Sequence, residues 1–150
     1  MASATVVIGL NCVGANVLAL PTYRALHHRF RSEGGISVAA PQHIASLLSS
    51  LGLFRKVIPW NGRTRDRIRV LKAGRFRRAV ILPNSFRAAM SPFAAGIGER
   101  WGDSTDARGL LLTHGIVRSR ERGHQPEDST ALLAARNARR VVDEIQGIRL

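Results

Sequence analysis

Short, uninterrupted apolar runs alternate along this chain with longer segments in which apolar residues recur every three or four positions. Residues 4–10 form a β-branched run, which is typical of a strand buried on both faces of a sheet. Residues 36–39, 56–60 and 79–82 are predicted strands of the same kind. Because a helical pattern follows each strand, the sequence predicts an α/β fold with a mostly parallel sheet and helices on both faces.

Proline and glycine mark the ends of the first predicted helices. Residues 17–30 have a helical apolar pattern, in which Pro21 indicates either a kink or a helix that begins near it. Pro41 stands at the expected first residue of a second helix, and Gly52 stands at its expected carboxyl-terminal cap. The apolar residues at helical spacing between them are Ile44, Leu47, Leu48 and Leu51.

The clearest helix follows the strand at residues 79–82. Asn84 or Ser85 is expected to cap its start, since short polar side chains accept hydrogen bonds from the free amides there, and Gly96 is expected to end it. The predicted core-facing residues of this helix are Phe86, Ala89, Met90, Phe93 and Ala94. A more polar helix is predicted over residues 127–145, with apolar positions at Leu132, Leu133, Val141, Val142 and Ile145.

The charge of the chain is strongly unbalanced. Its 23 lysine and arginine residues exceed its 10 acidic residues, which gives a formal net charge of +13. A field of this sign favours polyanions, meaning nucleic acid, anionic membrane or phosphorylated substrates, although a compositional bias towards arginine explains it equally well. The most basic stretch, residues 63–78, fits either a strand or a helix, and we favour a helix because its neighbours on both sides are strands.

Other features limit the classes of protein to which the chain belongs. No apolar run approaches the roughly 20 residues that cross a bilayer, and the apolar start lacks the basic residues of a signal peptide, so a cytoplasmic protein is expected. Cys12 is the only cysteine, and a small buried side chain is favoured over a reactive thiol. The histidines lack metal-ligand spacing and are expected at the surface or partly buried: His27, His28, His43, His114 and His124.

Two loops follow strands at positions where ligands bind in open α/β sheets, outside the carboxyl ends of the strands. In residues 10–16, Gly14 lets a ligand approach the backbone and the amides of the following helix attract anions, or Gly14 serves only a tight turn. In the second loop, Asn84, Ser85 and Arg87 supply a carboxamide, a hydroxyl and a guanidinium that suit phosphate or sugar hydroxyls. The alternative for Asn84 and Ser85 is that they only cap the helix.

Several segments of the chain resemble the ADP-heptose:lipopolysaccharide heptosyltransferases, most of all those of the second type. The most specific matches are LPNSFRAAMSPFAAGI at residues 82–97, ERWG at residues 99–102 and TDARGLLLTH at residues 105–114. The resemblance covers about residues 4–133, and residues 134–150 are not matched.

The resemblance also identifies loops expected to contact the acceptor. Val13-Gly14 and residues 18–26 are similar to the first loop and helix of the family, and residues 118–120 and 124–125 are similar to its later acceptor-side loop. Together with the two loops above, these matches give the candidate acceptor-binding residues Asn11, Gly14, Asn16, Asn84, Ser85, Arg87, Arg118, Arg120, His124 and Gln125.

This resemblance implies that residues 1–150 form one Rossmann-like acceptor-binding domain, the amino-terminal half of a GT-B glycosyltransferase. It implies inverting transfer of heptose from ADP-heptose to the inner core of lipopolysaccharide, with no metal and no cofactor. Basic residues would position the phosphates and acidic sugars of the lipid A acceptor, which gives the positive charge a specific reason. Peripheral contact with the anionic inner face of the inner membrane is compatible with the same charge.

The chain departs from the family pattern in two ways. Where the family has Val-Gly-Asp, this chain has Val13-Gly14-Ala15. Alanine cannot accept the proton of the acceptor hydroxyl, so no catalytic residue is predicted. The nucleotide-sugar domain is also expected to be absent from these 150 residues, so ADP-heptose would be a partner only if a second domain were supplied.

Three functional interpretations remain open. The leading one is a heptosyltransferase domain that is truncated and weakly active or inactive by itself, with a separate chain as a possible source of the second domain. The second is a non-catalytic domain that binds lipopolysaccharide core or other polyanions. The third, a nucleic-acid-binding protein, has less support because aromatic residues make up only 5% of the chain and no basic-plus-aromatic module is visible.

Overall fold

A computed structural model describes residues 4–104, 108–116 and 130–147 of the chain. Its strands are β1 (Thr5–Ile8), β2 (Ile36–Pro41), β3 (Lys56–Trp60), β4 (Arg78–Ile81), β5 (Glu99–Asp103) and β6 (His114–Ile116). Its helices are α1 (Val13–Leu18), α2 (Leu20–Phe30), α3 (Gln42–Ser49), α4 (Thr64–Ala73), α5 (Phe86–Ala94) and α6 (Thr130–Gly147). Strands and helices alternate from β1 to β5, as expected for an α/β fold.

The described strands form one parallel sheet in the order β3-β2-β1-β4-β5-β6. β1 lies between β2 and β4, and Ile8 is in register with both Ala39 and Ile81. The chain winds outwards from β1 to one edge, then returns to β4 and winds to the other edge. The gap between the carboxyl ends of β1 and β4 is therefore the topological switch point. The prediction of a mostly parallel, Rossmann-like sheet is confirmed.

Successive side chains along each strand point to opposite faces of the sheet, and each face has its own hydrophobic core. On one face, Val7 and Val80 pack in a cluster with residues of α1, α2, α3 and α6. On the other face, Val6 and Ile81 pack in a cluster with residues of α4 and α5. Because both faces are covered, the central strands β1 and β4 are largely apolar runs and do not alternate apolar with polar residues.

The long helix α6 covers the helices at the start of the chain. It packs against α1 and α2 and contacts β5 and β6. Its buried side includes Ala138 and the apolar positions predicted at Val141, Val142 and Ile145. The predicted polar helix is therefore confirmed where the structure describes it. Its apolar stripe completes the core on the face of the sheet that α1, α2 and α3 also cover.

Two segments whose secondary structure the sequence left open are helical in the structure. The basic stretch forms the helix α4 over Thr64–Ala73, which confirms the helical interpretation, and Arg78 already belongs to β4. The first helical segment consists of two helices that meet at Ala19, and Pro21 lies in the first turn of α2. Its helical structure begins at Val13, four residues before residues 17–30, because the β1–α1 loop is shorter than predicted.

Several predictions about elements were wrong. β5 and β6 were not predicted, since Glu99-Arg-Trp-Gly-Asp103 is largely polar and β6 has only three residues on the edge of the sheet. Pro41 ends β2 and precedes α3 by one residue, so it is not the first helical residue. Cys12 is exposed and not buried, because it stands in the surface loop that precedes α1.

The predicted core face of α5 is confirmed at Ala89, is only half-buried at Met90, and was wrong at Phe86, Phe93 and Ala94. Phe86 and Phe93 are each 49% exposed, whereas Ala88, Ala89 and the prolyl ring of Pro92 are buried. The helix turns its small side chains towards the sheet and its aromatic side chains outwards, because small residues allow the closest helix–sheet approach. Apolar periodicity alone ranked the large residues as the buried ones.

Candidate functional site

The two loops singled out in the sequence emerge side by side from the sheet. The first joins β1 to α1 and the second joins β4 to α5, and β1 and β4 are neighbouring strands. Leu82 at the start of the second loop donates a backbone hydrogen bond to the carbonyl of Ile8, with an N–O distance of 3.2 Å. Both loops lie at the carboxyl ends of strands, as the sequence predicted, and the fold brings them together at the topological switch point.

A buried carboxamide fixes the first loop from inside. Asn16 is 1% exposed, and its Nδ2 donates to the carbonyls of Leu10 and Cys12 at 2.9 and 2.7 Å. The hydroxyl of Tyr23 on α2 donates to Asn16 Oδ1 and accepts from the amide of Leu10. Burial raises the pKa of the Tyr23 phenol well above its ordinary value, so this hydroxyl stays a donor.

These contacts correct the role predicted for Asn16. All the groups of its side chain that form hydrogen bonds face the interior of the loop, so the side chain is not available to an acceptor from solvent. The residue instead holds the loop closed, because its amide pairs with the carbonyls of Leu10 and Cys12, which precede the first turn of α1. Asn11 and Gly14 are exposed beside it, and the Nε2 of His43 lies 3.3 Å from the carbonyl oxygen of Asn11.

Gly14 does not serve a turn that requires glycine. It is the second residue of α1, and it is not among the residues with a positive φ. A Cβ at this position would lie 3.6 Å from the Cβ of Ala131 on α6, which is ordinary van der Waals contact. The tight-turn alternative is therefore wrong, and the exposed backbone of Gly14 remains a candidate for ligand contact.

The position where the family pattern has its acidic residue is buried. Ala15 is 1% exposed and belongs to the core cluster that includes Ala19 and residues of α6. A methyl group fits this environment, whereas an ionised carboxylate would be desolvated there. Residues 9–16 contain no acidic side chain.

In the second loop, one of the predicted residues is a helix cap. Ser85 is the N-cap of α5, and its Oγ accepts a hydrogen bond from the amide of Ala88 at 3.2 Å. Asn84 is exposed next to it. Arg87 is also exposed, and its Nε donates to Thr64 Oγ1 at the start of α4 at 2.9 Å. The structure thus leaves the Asn84 carboxamide and the terminal nitrogens of Arg87 at the surface near the switch point.

The remaining predicted acceptor contacts lie outside the described residues: Arg118, Arg120, His124 and Gln125. Of the predicted histidines, His27 is half-buried and places Nδ1 2.8 Å from the carbonyl oxygen of Leu53, while His28, His43 and His114 are exposed. Within the part of the chain that the structure describes, no group of histidine, cysteine or acidic residues is arranged to hold a metal ion.

Sequence reasoning missed a buried arginine close to these loops. Arg67 on α4 is 9% exposed, and its Cζ lies 4.9 Å from the centroid of the Trp60 ring at the end of β3. Burial, and then the charge of Arg87, lower the pKa of the Arg67 guanidinium below its ordinary value. The sequence signal that could have found it is its position four residues before the apolar Leu71, which places both residues on the same face of α4.

Comparisons with known proteins give this geometry a context. No protein-family model matches the chain. The chain is 34% identical over 123 residues to lipopolysaccharide heptosyltransferase 2 of Escherichia coli K12, covering 77% of this chain and 35% of that protein. It is also 34% identical over 119 residues to the protein of the same name from Salmonella typhimurium LT2, covering 74% of this chain and 34% of that one.

The solved structures agree with the sequence comparison. The structure of E. coli ADP-heptose LPS heptosyltransferase II superposes with a TM-score of 0.64 at 27% identity and covers 89% of this chain. This chain is related in sequence and fold to part of the lipopolysaccharide heptosyltransferases. A glycosyl transferase family 9 structure from Veillonella parvula, with a TM-score of 0.66 at 16% identity over 94% of this chain, supports the fold alone. The chain spans about a third of the length of the heptosyltransferases it matches in sequence.

Proposed function

We propose that this chain is the acceptor-binding part of a lipopolysaccharide heptosyltransferase, the amino-terminal half of a GT-B enzyme that transfers heptose from ADP-heptose to the inner core. The observation that carries the proposal is that both candidate loops meet at the switch point between β1 and β4, in a chain related to heptosyltransferase 2. The groups proposed to face the acceptor in the described loops are those of Asn11, Gly14, Asn84 and Arg87.

The charge of the chain suits such an acceptor. Its formal net charge is +13, and Arg63, Arg65 and Arg69 are exposed at the start of α4, beside the second loop. Guanidinium groups bind phosphates and carboxylates through paired hydrogen bonds. A phosphorylated lipid A that carries acidic inner-core sugars would therefore be attracted to this edge of the sheet over the range of electrostatic screening.

We further propose that these 150 residues transfer little or no heptose by themselves. The first loop has no acidic side chain, and the buried methyl group of Ala15 stands where the family pattern has a base. Loss of a general base alone lowers rates by about 10²–10⁴. Binding of ADP-heptose is assigned to a second domain that these residues do not include.

Ala15 also favours a second candidate function, a domain that binds lipopolysaccharide core without catalysis. Such a domain would keep the basic edge and the exposed loop groups, which do not depend on a base. A heptosyl transfer assay separates the two candidates. We would supply ADP-heptose and lipid A with inner-core sugars, once with the chain alone and once with the chain and a separately expressed donor domain of a relative. Transfer in the second mixture alone supports the first candidate, and saturable binding without transfer in either mixture supports the second.

Binding is tested by titrating the chain with the same acceptor at two salt concentrations. We expect saturable binding that weakens as salt rises, because displaced counterions contribute to the affinity. Replacing Arg87 with Gln should weaken binding more than Arg24→Gln, which removes the same charge from an exposed position on α2. The absence of saturable binding at low salt would contradict the proposal, and tighter binding to random duplex DNA would favour the nucleic-acid interpretation.

The place of action follows from the same proposal. No helix in the described residues is long and apolar enough to cross a membrane. We propose a cytoplasmic site of action at the inner face of the inner membrane, where the acceptor lipid resides and anionic headgroups attract a basic surface. Sedimentation with vesicles that contain anionic phospholipid, compared with neutral vesicles, tests the membrane contact.

A further inference from the structure

Two buried donor groups lie against each other at the carboxyl end of β3. The guanidinium of Arg67 stacks over the ring of Trp60, and both side chains are more than nine-tenths buried. The Nε of Arg67 and the Nε1 of Trp60 have no hydrogen-bond acceptor within the described residues. Buried polar groups are normally paired, so two adjacent buried N–H groups without acceptors are a costly feature that calls for a functional explanation.

Arg87 brings a second guanidinium to the same side of α4, since its Nε donates to Thr64 Oγ1 and Thr64 lies one helical turn from Arg67. The charge of Arg87 acts on Arg67, and neither residue takes part in an ion pair among the residues that the structure describes. The nearest acid in the sequence, Asp66, is engaged by Arg69 and by the amide of Asn61. The arrangement is therefore a pair of like charges, one of them buried, that lacks a counter-charge.

The two cations are held in place by the surrounding structure. The hydrogen bond from Arg87 Nε to Thr64 Oγ1 ties the first turn of α5 to the first turn of α4, and α4 and α5 pack against each other. The Trp60 ring packs against the Arg67 guanidinium, with 4.9 Å between the Arg67 Cζ and the ring centroid. Two solvated arginines would separate to reduce their repulsion, whereas the burial of Arg67 and the bond from Arg87 to Thr64 limit how far these two side chains can move apart.

We propose that Arg67 and Arg87 together bind one oxyanion group of a ligand, a phosphate or a carboxylate, between the first turns of α4 and α5. A planar guanidinium donates paired hydrogen bonds to either oxyanion, and the bound charge would neutralise the like-charge pair. The proposal rests on the proposed function only for the identity of the molecule that carries the oxyanion, which would then be the lipopolysaccharide acceptor.

The test uses the full chain, labelled with ¹⁵N and titrated with inorganic phosphate, with chloride keeping the ionic strength constant. The chain has two tryptophans, so the indole signal of Trp60 has an internal reference in Trp101. We expect saturable shifts of the Trp60 indole and of the Arg67 Nε–H signal, with little change at Trp101. A parallel titration with acetate distinguishes a carboxylate site from a phosphate site.

Variants decide whether the two arginines form the site. Arg87→Gln should weaken phosphate binding at least about tenfold, because it removes charged hydrogen bonds. Arg24→Gln removes the same charge from an exposed position on α2 and should leave binding almost unchanged. Arg67→Lys keeps the charge but loses the planar fork and should also weaken binding.

Three results would overturn the proposal: shifts that do not saturate with either anion, equal binding in Arg87→Gln and the unmodified chain, or an equal loss in Arg24→Gln. If Arg67→Lys fails to fold, Arg87→Gln still decides the question, since Arg87 is exposed. The titration with small anions does not involve lipopolysaccharide. Its failure therefore rejects the oxyanion site without deciding the proposed function, and the reverse also holds.

Discussion

The hydroxyl of Tyr23 donates a hydrogen bond to the side-chain oxygen of Asn16, so that a residue of α2 fixes the loop at the carboxyl end of β1. The same hydroxyl accepts from the amide of Leu10, and the Asn16 amide donates to two carbonyls of the loop. This network is buried and gives the first loop a defined shape before any ligand binds. Preorganisation of this kind limits the entropy that binding must cost.

Removing this hydroxyl should destabilise the chain. Tyr23→Phe leaves Asn16 Oδ1 and the Leu10 amide without their buried partner, and we expect a loss of about 1–3 kcal/mol in the free energy of unfolding. Urea unfolding followed by circular dichroism measures it. The control is Ser50→Ala, which removes an exposed hydroxyl bonded to the Leu47 carbonyl and should change stability by less than about 0.5 kcal/mol. Equal losses in the two variants would contradict a special role for the network.

An acidic residue at position 15, where the family pattern has aspartate, should destabilise the chain. Ala15→Asp places a carboxylate in the core beside α6, and we expect a loss of at least about 2 kcal/mol in unfolding free energy from its desolvation. Asn11→Asp introduces the same acid at an exposed position of the same loop and should change stability by less than about 0.5 kcal/mol. A stable Ala15→Asp variant would mean that the loop can turn this position towards solvent.

An acidic group on β5 should make stability depend on pH. Burial raises the pKa of Glu99, but hydrogen bonds from Trp101 and Arg78 outweigh it and hold that pKa below its ordinary value. The contribution of the carboxylate is therefore present above the unfolded-state pKa of about 4.3 and is lost as the pH falls through the lower folded-state value.

The variant Glu99→Gln tests this contribution, because it removes the charge of the Glu99 carboxylate and keeps a side chain of similar size. Because the side chain is partly exposed, solvent screening limits the effect to about 1 kcal/mol at pH 7. Urea unfolding at several pH values between 7 and 3 should show the stability difference between the two proteins shrinking towards acid pH. A difference that stays constant over this range would assign the effect to packing and not to charge.

The buried face of α5 can be tested with a matched pair of substitutions. Ala89→Leu adds volume where the helix meets the sheet and should destabilise the chain by about 1–3 kcal/mol. Ala94→Leu makes the same change on the exposed side of the same helix, where we expect less than about 0.5 kcal/mol. Thermal unfolding of both variants measures the contrast. The opposite ranking would mean that the aromatic face, with Phe86 and Phe93, is the buried one.

The hydrophobic periodicity and the residues that begin and end helices predicted most of the fold, because both act between near neighbours in the chain. The uninterrupted run at residues 4–10 became β1, since a strand covered on both faces has no polar side to show. The run at residues 56–60 became β3, which lies at the edge of the sheet with Lys56 and Pro59 exposed. The same logic located Ser85 among the candidate caps of α5. Polar segments carry no such pattern. β5 was missed because its pairing with β4, and not its own composition, makes it a strand.

The candidate site was only partly accessible to the same reasoning. Because parallel strands end at one edge, the sequence by itself determined that the loops after β1 and β4 are ligand-facing candidates. Only the tertiary structure decided that these loops are neighbours at the switch point, that Asn16 faces inwards and that Ala15 is buried. It also decided which of many arginines is unusual, since the burial of Arg67 against Trp60 depends on a strand and a helix meeting in space. Strand and helix propensities are encoded by near neighbours in the chain, whereas burial and charge pairing depend on residues distant in sequence.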